Sequence, residues 1–249
     1  MEPLNLIWVC LAAFFAGGLN SLAGGGSFIT LPALLSTGIS PVLANTTSAA
    51  VLLPGYLGSV VGFKNTFSRI ELKRLIPLLV LTIVFSIGGA SFLINSSDEF
   101  FLKLIPFLIL IATLLFLFNP TSEQVVAVRR NWLQKFSLSI VSVYGGYFNG
   151  GLGIALLSVL SLGTEFSLKQ MSAIKSLLSF LITSVSVTVF LLNGFIVWSY
   201  VLYMVPFSIL GGFIGAKFTE VLPTKLVRKF IIFVGLSLSV SLIFIGYIK

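Results

Sequence analysis

Long apolar blocks separated by short polar connections dominate the chain. Full-length blocks run from Ala44 to Phe63, Ile76 to Ile94, Leu102 to Phe118, Met171 to Leu192, Phe195 to Gly215 and Val227 to Ile248. Each is near the ~20 apolar residues that carry a helix across a hydrocarbon core ~30 Å thick. Two further regions read differently. Leu4 to Leu19 is apolar but breaks at Asn20 to Gly26, and only the short piece Phe28 to Leu35 follows before Gly38 and Pro41. Phe136 to Phe148 likewise breaks at Asn149 to Gly153, and Ile154 to Leu162 follows before Lys169. About 12 residues of helix reach only ~18 Å, too little to cross. Each region therefore predicts a helical hairpin that dips into the membrane and returns. The fold class expected is an all-α polytopic membrane protein.

The two halves repeat one plan, a broken helical hairpin followed by three full transmembrane helices. The expected division is 1–118 for the first membrane repeat, 119–134 for a polar cytoplasmic linker and 135–249 for the second repeat. Matching positions are Asn20 with Asn149, Gly24 with Gly153, Ser48 with Ser176, Pro77 with Pro206, and Gly89-Ala90 with Gly215-Ala216. By subtraction the separation is 129 for Asn20 and Asn149, and 126 for Gly89 and Gly215. So steady a spacing marks an internal repeat.

Composition agrees with the pattern. Of 249 residues 57% are hydrophobic and only 9% charged, so the spans leave almost no chain for a soluble domain. The net charge of +8 lies in the short connections, where topology rules place it, and so does not point to nucleic acid. A single cysteine, Cys10, permits no internal disulfide, and the absence of histidine excludes a His/Cys metal site. The first block lacks a basic leader and reads as a mature helix. If the first hairpin enters from outside, twelve of the 15 basic residues, from Lys64 to Lys229, face the cytoplasm, leaving Lys175 in a span and Lys103 and Lys249 outside. Replacing each hairpin by one crossing would put the 217–229 cluster outside, against the positive-inside rule. The hairpins then enter from opposite faces, the repeats are inverted, both termini are external, and the two glycine breaks can meet near mid-membrane.

Candidate chemistry concentrates at those breaks. Gly24, Gly25, Gly26 and Ser27 open one short helix, and Gly150, Gly151 and Gly153 open the other. Unpaired amides and the positive end of the helix dipole favour an anion there. The same glycines also suit close helix packing. Lys175 lies about two turns past Lys169, where a charge is costly unless paired or wet, and Ser172 and Ser176 share its neighbourhood. It is the leading candidate for attracting an anion, against the alternative of snorkelling to the interface. Asn20 and Asn149, with Asn45, Thr46, Thr47 and Ser48 from the first repeat, would add neutral donors, unless the hydroxyls simply bond carbonyls one turn back. All seven acidic residues fall in loops or at ends, which argues against a cation pump or a carboxylate proton relay. No nucleophile, base and orienter set suggests an enzyme, and nothing calls for a cofactor.

With the Gly24-Gly25-Gly26 break and Pro32, the Ala44 to Ser48 helix opening, the Gly145 to Gly153 copy and Gly215-Ala216, the whole chain resembles the TauE/SafE family of sulfite and organosulfonate transporters. That resemblance implies movement of small sulfur-containing anions such as sulfite, thiosulfate or organosulfonates, as export across the bacterial inner membrane. The second copy departs from the first by placing Lys175 where the first has Thr47, and Ser161 where it has Pro32. The reading that joins both lines is an alternating-access carrier with its anion held between the glycine breaks, in a multi-pass inner-membrane protein whose partners are the anion and the bilayer. A passive anion channel and a non-transporting scaffold are the alternatives, and a homodimer stays open.

Overall fold

A computed structural model describes residues 3–22, 24–68, 70–118, 131–162, 166–218 and 224–247. They form the helices α1 (Pro3–Leu22), α2 (Ser27–Leu35), α3 (Pro41–Gly62), α4 (Lys64–Phe67), α5 (Leu72–Ile94), α6 (Asp98–Phe118), α7 (Asn131–Tyr147), α8 (Leu152–Leu160), α9 (Leu168–Leu192), α10 (Trp198–Phe218) and α11 (Thr224–Tyr247), with no strand among the described residues. Leu72–Ile94, Gln170–Leu192 and Trp198–Gly215 are each long and apolar enough to cross a membrane. Large apolar side chains such as Phe15, Val80, Leu202 and Phe213 stand fully on the outside of the bundle. This is the surface of a protein whose solvent is lipid.

Both broken regions fold as hairpins. Gly24 takes φ +80°, and its amide donates to the Leu19 and Asn20 carbonyls at 3.3 and 3.1 Å, closing the end of α1 as a left-handed residue can. The chain then turns back, so that Gly26 lies against the Ala16 carbonyl on α1. In the second hairpin Gly151 takes φ +71° before α8, and Gln134 near the start of α7 donates to the Leu160 carbonyl at the end of α8, at 3.3 Å. Nine residues of α8 rise only ~14 Å, so both arms open on the same end of the bundle. The two tips touch, a Cβ placed on Gly24 falling 3.2 Å from the Gly153 Cα.

The helix pairings repeat between halves. α1 packs on α10 as α7 packs on α5; α3 pairs with α9 and α6 with α11. At the first two crossings glycines bring backbones into contact. A Cβ on Gly17 would overlap the Ser208 carbonyl oxygen and one on Gly211 that of Phe14, while Gly146 meets Ser86 and Gly89 meets Val143 in the same way. These contacts set a register different from the sequence match. Gly89 corresponds to Gly211, 122 residues apart by subtraction, and Ser86 to Ser208; the Gly89-Ala90 and Gly215-Ala216 pairing is one helical turn off, and the Pro77 and Pro206 pairing about two turns off. The cause is physical: the crossing is fixed by which glycine faces a backbone, and the repeated Gly211-Gly212 and Gly215 offer two candidates a turn apart on one face.

Directions follow from these contacts. α1 and α10 run parallel from one end, with Cys10 at the Tyr203 carbonyl and Gly18 at Gly215. α5 and α7 run parallel from the other, ending with Tyr147 near Ser96. Lys64, Lys73, Arg74, Lys135 and Lys229 are exposed at that second, basic end, and Asp98, Glu99 and Lys103 at the opposite one.

Several boundaries differ from expectation. α1 continues through Asn20 to Leu22, and α8 begins at Leu152, so Gly153 is helical. α9 starts at Leu168 through a capping box, in which Ser167 Oγ accepts from the Gln170 amide at 3.3 Å and Gln170 Oε1 from the Ser167 amide at 2.9 Å; Lys169 is thus inside the helix. α10 starts at Trp198, leaving 195–197 without regular structure. Of the 119–134 linker, 131–134 belong to α7, and 119–130 lie outside the described residues.

The glycine crossings make a stability prediction. Gly211→Ala and Gly89→Ala, which put a methyl into a facing carbonyl, are expected to cost about 2 kcal/mol or more each. Gly55→Ala and Gly58→Ala, which meet nothing within 4 Å, should be near neutral, or slightly stabilising, in thermal unfolding of detergent-solubilised protein.

Candidate functional site

Helices α3 and α9 carry the polar residues of the interior. Along α9, Ser172, Ser176, Ser179, Thr183 and Ser186 recur at three- and four-residue spacing and so form one stripe. From Ser176 onward these side chains are buried, Ser179 and Thr183 to 1% exposure. Tyr56 and Ser59 of α3 face the stripe, because α3 and α9 run antiparallel with the end of α3 beside the start of α9.

Between them and the two hairpin tips lies a cavity of ≈ 190 Å³, lined by Asn20, Gly24, Tyr56, Ser59, Phe63, Gly153, Ser172, Lys175, Ser176 and Ser179. At about 30 Å³ per water in the liquid, that is room for a small oxyanion and a few waters. Lys175 supplies the one charge on its wall, is half-buried, and has no hydrogen-bond or ion-pair partner among the described residues. Among the described residues no carboxylate lines the cavity. A cationic wall with glycine backbone and hydroxyls is chemically suited to an anion.

A hydrogen-bonded chain closes the deep end of the cavity. The Tyr56 hydroxyl donates to Asn149 Oδ1 at 3.4 Å, and Asn149 Nδ2 donates to Thr183 Oγ1 at 3.1 Å. The Asn20 side chain interacts with the same Tyr56 hydroxyl. One asparagine from each hairpin thus converges on a single tyrosine. Two groups stay unsatisfied: Asn20 Oδ1 and Ser179 Oγ are buried without a partner. A buried polar group left unpaired costs about 1–3 kcal/mol.

The expected site residues divide into two sets. Asn20, Gly24, Gly153, Ser172, Lys175 and Ser176 come together at the cavity. Gly25, Gly26, Ser27, Gly150 and Gly151 do not line it; they are packing positions in the hairpin tips, where Gly150 lies against the Phe148 and Phe28 rings and Gly151 against Ala112. Asn149 stands one bond behind Tyr56. Asn45, Thr46, Thr47 and Ser48 also lie off the cavity, each engaged with protein: Asn45 donates to the Tyr147 carbonyl at 3.0 Å, Thr46 to that of Phe195, Thr47 Oγ1 accepts from the Val197 amide at 3.1 Å, and Ser48 meets Thr30 at 2.6 Å. The fully buried Phe28 and Phe148 occupy the same level. Together these contacts seal the bundle between the cavity and the acidic end. A shallower hollow beyond the seal, ≈ 300 Å³, holds Ser40, Ser96, Ser97 and Asp98, whose carboxylate accepts from the Val42 amide at 2.9 Å and caps α3.

Tyr56, Ser59, Phe63, Ser179 and Thr183 were not foreseen. The unbroken 3–4 spacing of hydroxyls through α9 was the signal for Ser179 and Thr183; nothing local marks Tyr56, whose role comes from partners far away in sequence. Among the described residues no cluster of three potential metal ligands occurs.

The chain is similar to known membrane proteins. The sequence profile described as Sulfite exporter TauE/SafE matches residues 9–242. A "Probable membrane transporter protein" of Haemophilus influenzae is 30% identical over 236 residues, covering 93% of this chain and 91% of the relative. The "Probable membrane transporter protein YfcA" of Escherichia coli is 28% identical over 251 residues, covering 98% and 91%. No solved structure matches the chain.

The seal has a direct readout. In a Cys10→Ser background, a thiol placed at Ser172→Cys is expected to react with a membrane-impermeant maleimide added at the basic end only, and one at Ser97→Cys only from the opposite side. Labelling of both positions from both sides would contradict a cavity closed at its deep end.

Proposed function

Because the chain belongs to the sulfite exporter TauE/SafE family, a family of membrane transporters, we propose that it carries small sulfur-containing anions, such as sulfite or short organosulfonates, across the inner membrane by alternating access. The observation that carries this reading is the unpaired Lys175 on the wall of a cavity lined by no carboxylate among the described residues and walled by both hairpin tips. A half-buried lysine without a partner loses part of its hydration, which an anion in the cavity replaces.

In this reading the anion enters at the basic end, meets Lys175 about two turns inside α9, and exchanges hydration for Ser172, Ser176 and the backbone at Gly153. The direct and backbone contacts replace water, while the glycines let the anion approach the main chain without a Cβ in the way. The basic end is cytoplasmic under the positive-inside rule, which makes the structure inward-facing and puts both termini outside.

Two inverted repeats supply the alternation. The paired packing of α1 with α10 and α7 with α5, and the entry of the hairpins from opposite ends, are what a pseudo-two-fold axis in the membrane plane produces. The outward-facing state then forms when the contacts of Asn45, Thr46 and Thr47 with Tyr147, Phe195 and Val197 open, and the tips close over the cytoplasmic mouth. These are neutral hydrogen bonds worth about 1 kcal/mol each, weak enough to be exchanged in a transport cycle.

Purified protein in liposomes should therefore move radiolabelled sulfite saturably, with chloride and potassium as controls. Lys175→Ala is expected to lower flux at least about tenfold while leaving the thermal unfolding transition in place. Wild-type flux in that variant would remove Lys175 from the site. Conductance far above carrier turnover would replace the carrier with a channel, and no flux of any anion by folded protein would leave a scaffold.

A further inference from the structure

We infer that the cavity selects by charge: it is built for a monoanion and discriminates against dianions of similar size. This rests on the transport reading above and narrows the class of sulfur anion that such a transporter takes.

The wall supplies one positive charge. Among the described residues Lys175 is the only charged residue lining the cavity, and the other polar groups there are neutral: Asn20, Tyr56 and serine hydroxyls. A monoanion beside Lys175 makes a neutral pair, and its remaining oxygens accept from hydroxyls. A dianion leaves one full charge uncompensated in a site removed from bulk water, where the lost hydration is not recovered by neutral donors.

The predicted discrimination separates the sulfur anions into two groups. Hydrogen sulfite and methanesulfonate carry one charge; thiosulfate and sulfoacetate carry two. The test is flux of each, radiolabelled, into liposomes holding the full chain, hydrogen sulfite being offered at pH 6. A second cation is then introduced as Ser172→Lys or, independently, Ser59→Lys, both half-buried positions on the cavity wall. Wild type is expected to move the monoanions at least about tenfold faster than the dianions at equal concentration. Either lysine variant should narrow or reverse that ratio, a change that merely damaged protein would not produce because damage lowers both fluxes together. Equal flux of thiosulfate and methanesulfonate in wild type, or a ratio unmoved by the second lysine in variants that still transport, overturns the charge inference and leaves the transport reading standing. Absence of flux for all four anions in folded wild-type protein overturns the transport reading and this inference with it.

Discussion

Two hairpin tips can meet inside an apolar bundle only where no side chain stands between them. At Gly24 and Gly153 the main chains come within 3.2 Å of a would-be Cβ, and Gly24 also holds a left-handed φ that a residue with a Cβ adopts only with strain. The same requirement acts at the crossings of α1 with α10 and α5 with α7, where glycine lies on a facing carbonyl. Lipid gives no hydrophobic drive for helices to associate, so such close backbone packing is what holds them. The cavity exists because the tips stop short in mid-bundle and leave space that full helices would fill.

Polarity inside that space is arranged by need. Backbone freed at the tips is satisfied locally, by Gly24 onto α1 and by Tyr144 onto the Gly150 carbonyl. Hydroxyls at the acidic end bond one another and the 195–197 segment, which joins α3 to the entry of α10. At the basic end Ser172 and Ser176 line open volume with Lys175, Ser176 Oγ donating to the Ser172 carbonyl at 3.0 Å, while deeper in α9 Ser186 Oγ donates to the Ile182 carbonyl and Thr183 accepts from Asn149. The open volume thus lies on one side of the interior only. That asymmetry separates Asn45 to Ser48, which are bonded to protein where sequence suggested contact with substrate, from Ser172 and Ser176 on the cavity wall.

The convergence of Asn20 and Asn149 on Tyr56 links the halves chemically as the glycines link them sterically. The Tyr56 hydroxyl donates its proton to Asn149 Oδ1, and since Asn20 Oδ1 has no partner its oxygen is left to accept from the Asn20 amide, so one phenol serves both hairpins at once.

Hydropathy and glycine breaks were enough to read the helices, both hairpins and the meeting of the breaks, because each follows from local rules: span length and helix termination. Lys175 stands out in the sequence as a cation within a span, since no acidic residue shares that span. Two things were legible only in three dimensions. Which of Gly211 and Gly215 answers Gly89 was decided by the facing carbonyl, since a four-residue shift keeps both glycines on one helix face and leaves the pattern unchanged. Which polar residues face the cavity was decided by long-range neighbours. Thr46 and Thr47 are as polar as Ser172 and Ser176, yet the chain brings Phe195 and Val197 to the first pair and open space to the second.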